Sequence, residues 1–234
     1  MNDQSHIELI LLPGMDGTGG LFKPFLDVFP QEISIKVIAY PGEQKLSYRE
    51  LVSYVKNKLP KNTEYVLLAE SFSGPIAYEL ASNKNLKAII FVASFIQPPN
   101  KILALTKILP FSFLIPNQLP VFFLKFLLGR LANEKLYELV NEALRKVKKD
   151  VLAFRITEMA RLPRDNHTII KKSIYIQAMS DNLVSAKNAV RISEVSKDSQ
   201  TYRVEGSHFV LQVNPVKCSK IIQNKINRLT RTST

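Results

Sequence analysis

Cysteine is nearly absent. Cys218 stands alone, so no internal disulfide can form and no cysteine-rich zinc site can be assembled. That usage fits a reducing compartment, with a buried neutral thiol as the expected role. Histidine is scarce as well: only His6, His167 and His208 are available as a base near neutral pH. Long apolar runs are missing. The most apolar stretch, Ile102 to Leu131, carries Lys107 and Lys125 and is interrupted by Pro110, Pro116 and Pro120. A spanning helix wants about 20 consecutive apolar residues. The N-terminal residues lack a basic start, and the run Ile7–Leu12 contains Glu8 and is too short for a signal core. The expected location is therefore cytoplasmic. No internal repeat or low-complexity tract is present. Acids are in short supply, with 20 Asp and Glu against 32 Lys and Arg, for a net charge of +12. Such an excess points to an acidic partner (nucleic acid, an anionic membrane or an acidic protein) without choosing among them.

What is present suits a sizeable core. The 234 residues are 46% hydrophobic and 22% charged, which reads as one large domain or a core with an insertion. Short apolar runs at Ile7–Leu12, Ile33–Ala39, Tyr65–Ala69, Leu86–Ala93, Ser173–Ala178 and Ser199–Val204 are candidate strands. They read as continuous runs more than alternations, as a parallel sheet covered on both faces requires. Helical patterns lie between them. Ser47-Tyr48-Arg49-Glu50 is a capping box that opens a helix ending near Leu59. Pro75–Ala81, Ala186–Val195 and Pro215–Leu229 suit three more. The alternation predicts an α/β fold with parallel strands and right-handed crossovers. From Gln97 to Arg164 no strand is predicted, and Glu134–Lys149 reads as a strong helical stretch. A helical insertion after the fourth strand follows, tolerable because loop-closure entropy grows slowly with length.

The eight glycines are not scattered. Gly14, Gly17, Gly19 and Gly20 share one loop directly after the first strand. Their GxxGxGG spacing is not the GxGxxG of a dinucleotide site, and no Gly-Lys-Ser/Thr follows to make a phosphate loop. A plain turn is the bland alternative. After the third strand comes Ala69-Glu70-Ser71-Phe72-Ser73-Gly74-Pro75, then a helix. A serine on a sharp strand-to-helix turn, flanked by small residues where bulky ones would collide, has the geometry of a nucleophile elbow. Ser71 would project above the carboxyl edge of the sheet. The N–H of Phe72 would stabilise an oxyanion, with a second donor from the glycine loop at the N–H of Met15. Ala69 and Ser73 stand where such elbows usually carry glycine. Ser73 is the competing nucleophile, but Pro75 two residues on makes it the worse elbow.

A serine nucleophile needs a base, and the base an orienting acid. His6 lies in a terminus, and His167 follows Arg164-Asp165-Asn166 in a solvated loop. His208, in Glu205-Gly206-Ser207-His208-Phe209, follows the last strand and so faces the same sheet edge as Ser71. Asp181 follows the fifth strand. Glu205 is too near His208 in sequence to reach around it, and Asp165 precedes its strand, at the wrong edge. No metal site or cofactor is called for.

With these residues in hand, the chain resembles the α/β-hydrolase superfamily, specifically its small capped carboxylesterases. The resemblance covers most of the length: Leu12–Gly20 as oxyanion loop, Ala69–Gly74 as elbow, Asp181 as acid and Gly206–Phe209 as histidine loop. It implies a mostly parallel sheet with helices on both faces. The core would span 1–96 and 166–234, and a helical cap 97–165. It also implies acyl transfer to Ser71 and hydrolysis through His208 and Asp181. Two departures stand out. The family usually begins with two further strands, so a shortened sheet is expected. Glu70 is an uncommon neighbour of the nucleophile, and it is expected to make a helix-edge or cap contact.

The charge is local. Between Gln97 and Arg164 twelve basic residues face five acids, so seven of the twelve net charges fall in the expected cap. A solvated helix face would explain this. The sharper reading is a docking surface at Arg145, Lys146, Lys148, Lys149 and Arg155. Within the superfamily, the esterases that cleave the methyl ester of pimeloyl-acyl carrier protein in biotin synthesis meet an acidic carrier, and the resemblance extends to them. Two rivals stand beside this. A lipid esterase or lysophospholipase would touch an anionic membrane through Phe111, Phe113, Leu114, Phe122, Phe123, Phe126 and Leu127. A non-catalytic binding protein would use the same scaffold. Nucleic-acid binding fits least, since the basic residues are mixed into an apolar insertion and no recognised motif appears.

Overall fold

The computed structural model describes residues 7–99, 133–165 and 168–231. Among the described residues six strands form one sheet in the order β2-β1-β3-β4-β5-β6. They are β1 (Glu8–Leu12), β2 (Ile35–Val37), β3 (Tyr65–Glu70), β4 (Leu86–Val92), β5 (Ile170–Ala178) and β6 (Ser196–Val204). Every pairing is parallel. Strand order reverses between β1 and β3, which pair from Glu8↔Tyr65 to Leu12↔Ala69. The glycine loop and the serine turn therefore leave the sheet side by side. Open parallel sheets form their crevice at such a reversal, outside the carboxyl ends of the strands.

Side-chain alternation divides the core in two. Ile10, Leu12, Leu67, Ala69, Ile89, Phe91 and Tyr175 face one side. There they meet the helices α2 (Tyr48–Lys56), α3 (Gly74–Glu79) and α6 (Lys187–Glu194) through Leu51, Val55, Ile76, Ala77, Ala189 and Ile192. Leu9, Leu11, Val66, Leu68, Ile90, Val92, Ile174 and Ile176 face the other side. There they meet α1 (Lys23–Leu26), α7 (Val210–Val213) and α8 (Pro215–Arg231) through Phe25, Val210, Leu211, Cys218, Ile222 and Ile226. Truncating one of these side chains, as in Leu68→Ala, costs about 2–5 kcal/mol through the lost contacts and the cavity left behind. The capping box forms as read: the Ser47 side chain accepts from the Glu50 N–H, and the Glu50 carboxylate accepts from the Ser47 N–H at 2.8 Å.

The helical stretch read as Glu134–Lys149 is two helices, α4 (Glu134–Arg145) and α5 (Lys149–Arg161). Between them Val147 is buried and the Lys148 N–H donates to the Gly42 carbonyl at 2.9 Å. That backbone dock breaks the helix, and a long-range contact of this kind leaves no mark on local periodicity. The two helices pack in small clusters of their own. Leu136, Val140 and Ala143 join Leu21, while Val147, Val151 and Leu152 join Met15. The second strand is shorter than read, and the fifth and sixth start earlier, at Ile170 and Ser196. His6, His167, Lys101, Lys107, Lys125, Arg130 and the phenylalanines from Phe111 to Phe126 lie outside the described residues. Among the described residues no helix is long and apolar enough to cross a membrane.

Candidate active site

Ser71 sits immediately beyond β3 with φ at +46°, inside a short 3-10 turn, Ser71–Ser73, that runs into α3. A non-glycine residue there carries roughly 1–3 kcal/mol of strain and persists only where its surroundings over-determine it. They do. The Ser71 carbonyl accepts from Ser94 Oγ at 2.7 Å, and the Phe72 carbonyl accepts from the Tyr48 hydroxyl at 3.1 Å. A Cβ on Gly74 would overlap the Phe95 carbonyl oxygen, so only glycine lets the helix start this close to the next strand end. Ser73, the competing candidate, has its hydroxyl engaged elsewhere. It is fully buried, its hydroxyl donates to the Pro13 carbonyl, and the Tyr40 hydroxyl donates to it at 2.5 Å. A serine in place of the usual glycine thus ties the elbow to the glycine loop.

His208 Nε2 lies 2.8 Å from Ser71 Oγ, and His208 Nδ1 lies 2.9 Å from Asp181 Oδ2. A carboxylate only accepts, so Nδ1 carries the proton and Nε2 is left to accept from the Ser71 hydroxyl. The other carboxylate oxygen of Asp181 accepts from the N–H groups of Leu183 and Val184, each at 2.8 Å, which fixes its plane. Burial by itself would lower the His208 pKa. The charge and hydrogen bond of Asp181, helped by Glu70, outweigh it and hold the imidazole above its ordinary value. Such a group can take a proton from Ser71 and hold it beside a negative charge.

The glycine loop curls past this pair. Asp16 Oδ2 accepts from the Thr18 N–H at 2.8 Å and from the Thr18 hydroxyl at 2.5 Å, and the Gly17 N–H donates to the Gly14 carbonyl at 3.0 Å. Met15, half-buried, makes no backbone N–H hydrogen bond among the described residues. Arg155 meets the loop from α5. Its Nη1 donates to the carbonyls of Met15 (2.7 Å) and Asp16 (2.8 Å), and its Nη2 to that of Pro41 (3.0 Å). This corrects its reading as a docking residue: at 2% exposure it has no surface to offer a partner. Gly17, at φ +73°, is where the guanidinium rests; a Cβ there would lie 2.6 Å from Nη1. The glycine loop was legible in sequence, but its partner 140 residues away was not.

The other basic candidates stay at the surface, partly engaged. Lys146 pairs with Glu142 at 2.5 Å and Lys148 with Glu43 at 3.7 Å, all four side chains more than half exposed. Arg145 and Lys149 are exposed and form no salt bridge among the described residues.

Glu70 is also corrected. It is buried and contacts the chain beyond His208, where Gln212 Nε2 donates to its Oε1 at 2.9 Å. Its Oε2 has no hydrogen-bond partner among the described residues. Burial raises its pKa to about 7, against the lowering pull of Gln212. A cavity of about 360 Å³ lies away from Ser71, between β5, β6 and α8, with Lys172, Lys225 and Arg228 in its wall. Among the described residues no three His, Cys, Asp or Glu side chains converge as a metal site would need.

No protein-family model matches the chain, and no curated protein matches it. Solved structures do. An alpha/beta hydrolase fold protein from Chitinophaga pinensis superposes with a TM-score of 0.70 at 13% identity, over 95% of this chain and 90% of that one. A lipase-esterase related protein from Clostridium acetobutylicum gives 0.75 at 17% identity, over 95% and 96%. An esterase from Exiguobacterium antarcticum gives 0.71 at 15%, over 95% and 92%. At these identities the likeness speaks for architecture alone, and the chain has the α/β-hydrolase fold.

Proposed function

We propose that the protein is a serine hydrolase that cleaves carboxylic esters through an acyl-enzyme. The observation that carries this reading is the hydrogen-bonded line from Ser71 through His208 to Asp181, with Ser71 held at positive φ. Solved structures of this fold include an esterase and a lipase-esterase related protein. Ser71 Oγ attacks the ester carbonyl while its proton passes to His208 Nε2. The tetrahedral oxyanion is held by the N–H groups of Met15 and Phe72, and Asp181 stabilises the imidazolium. The C–O bond to the alcohol breaks as His208 returns the proton to the leaving oxygen. Water, deprotonated by His208, then attacks the acyl-serine, and Ser71 leaves with that proton to release the acid. An active-site-directed fluorophosphonate should label wild type and not Ser71→Ala. Unlabelled, folded wild type would overturn the proposal.

For the substrate we infer an acyl group carried on an acidic protein, with the methyl ester of pimeloyl-acyl carrier protein as the specific candidate. The support is the basic excess of the expected cap from Gln97 to Arg164, +7 in sequence and +6 once the buried Arg155 is set aside. Arg155 no longer belongs to that surface, which narrows it to Arg145, Lys146, Lys148 and Lys149. The ion pairs of Lys146 and Lys148 are exposed, and such pairs are worth at most about 1 kcal/mol, so a carboxylate-rich partner can displace them. Neutralising the four should raise KM for the carrier-bound ester and leave a free pimelate methyl ester unaffected. Equal loss on both, or none, would remove the carrier from the reading.

A further inference from the structure

The two oxyanion donors are backbone groups, so their aim depends on what holds the backbone behind them. On the Met15 side the chain is clamped on both flanks. Ser73 holds the Pro13 carbonyl, while Arg155 holds those of Met15 and Asp16. The Gly14–Met15 peptide, which carries the donor N–H, is suspended between these anchors. On the Phe72 side the peptide that carries the donor has its Ser71 carbonyl held by Ser94 Oγ. The next carbonyl, that of Phe72, is held by the hydroxyl of Tyr48, whose ring stacks on Phe72 with centroids 4.8 Å apart. Tyr48 is itself fixed at the first turn of α2, where its N–H donates to Glu158 Oε2 at 3.1 Å. Arg155 and Glu158 both belong to α5.

We propose that helix α5 is a positioning element of the oxyanion hole, with Arg155 setting the Met15 donor and Glu158, through Tyr48, setting the Phe72 donor. The proposal rests on the hydrolase reading and deepens it: the inserted helix is part of the catalytic geometry as well as a cover. The planar guanidinium suits the task because it spans three carbonyls from one fixed centre; a lysine ammonium is a point charge that cannot. Gly17 agrees with this assignment, since a side chain there would evict the guanidinium.

The test uses Arg155→Ala, Arg155→Lys and Tyr48→Phe, with p-nitrophenyl acetate as substrate and a phenyl trifluoromethyl ketone as a tetrahedral-adduct inhibitor. Displacing a donor by about 1 Å costs on the order of 100-fold. The expected result is a kcat lower by about 10- to 100-fold for each variant, with KM within about threefold of wild type. Ketone affinity should fall in proportion to kcat. Added guanidinium should restore Arg155→Ala and leave Tyr48→Phe unchanged. Should Arg155→Ala fail to fold, Arg155→Lys carries the kcat and ketone measurements. Losses confined to KM, or a fall in kcat with unchanged ketone affinity, would overturn the positioning role alone. Wild type inert to both ester and ketone would overturn the hydrolase reading and this inference with it.

Discussion

The candidate site has two halves built by different means. Ser71, His208 and Asp181 are hydrogen-bonded side chains that the proposed mechanism uses directly, each placed just beyond the carboxyl end of a strand: β3, β6 and β5. In the proposed mechanism Met15 and Phe72 contribute backbone N–H groups, whose placement depends on other residues. Ser73, Tyr40, Ser94 and Tyr48 hold this backbone from within the core; Arg155 and, through Tyr48, Glu158 hold it from the insertion. The first half follows from topology, since any parallel sheet brings its strand ends to one edge. The second half depends on tertiary hydrogen bonds between segments far apart in sequence.

The sharpest way to separate the halves is to remove one member of each. Ser71→Ala or His208→Ala should lower kcat/KM by about 10⁵-fold or more, and combining them should add little, because the pair acts as a unit. Asp181→Asn should cost about 10⁴-fold, since an amide can donate to Nδ1 and stabilise the wrong tautomer. Steady-state kinetics on a soluble ester read all three. A loss below about tenfold for Asp181→Asn would mean that the acid of this site lies elsewhere. The backbone half should respond more gently. Gly17→Ala forces a side chain into positive φ, worth about 1–2 kcal/mol, and drives a Cβ against Arg155. A fall of about tenfold in kcat and a lower melting temperature should follow. In an Arg155→Ala background the same substitution should cost less, because the clash is gone. Additive losses would deny that Gly17 and Arg155 form one contact.

The same division explains what was legible in the sequence. The parallel strands, the sharp serine turn and the placing of Ser71, Asp181 and His208 beyond strand ends rest on local patterns: apolar runs, a glycine-rich loop, a small-residue turn. Each pattern is set by neighbours within a few residues, and in the structure the three side chains lie within hydrogen-bond distance. Arg155 and Glu70 were misread for one shared reason. A charged residue is expected at the surface unless paired, and the partners that bury these two lie 140 and 142 residues away. Ser73 shows the reverse. Its departure from glycine looked like a loosened motif, whereas its hydroxyl bonds both the glycine loop and Tyr40. The helix break at Val147 likewise comes from a distant glycine, Gly42.

Glu70 lies between the two halves and gives the smallest effect on rate. It precedes Ser71, takes a hydrogen bond from Gln212 beyond the histidine loop, and has its unpartnered oxygen toward Gly14. Its negative charge helps to raise the His208 pKa. Glu70→Gln should therefore move the acid limb of the kcat/KM profile to lower pH. Stability should respond more clearly. The carboxyl pKa rises from 4.5 to about 7 on folding, chiefly by burial, so the folded state binds the proton more tightly. Its contribution is fully present below pH 4.5 and is lost as pH rises through 7. The loss is about 3 kcal/mol. Glutamine carries no such dependence, and the lower His208 pKa it leaves acts in the same direction, since less of the imidazolium's stabilisation is then lost as pH rises. Melting temperatures should therefore diverge between pH 5 and pH 8, with Glu70→Gln gaining on wild type as pH rises. Parallel curves across that range would mean that Glu70 keeps an ordinary carboxylate pKa in the folded protein, and that its charge is already compensated at the junction of the two halves.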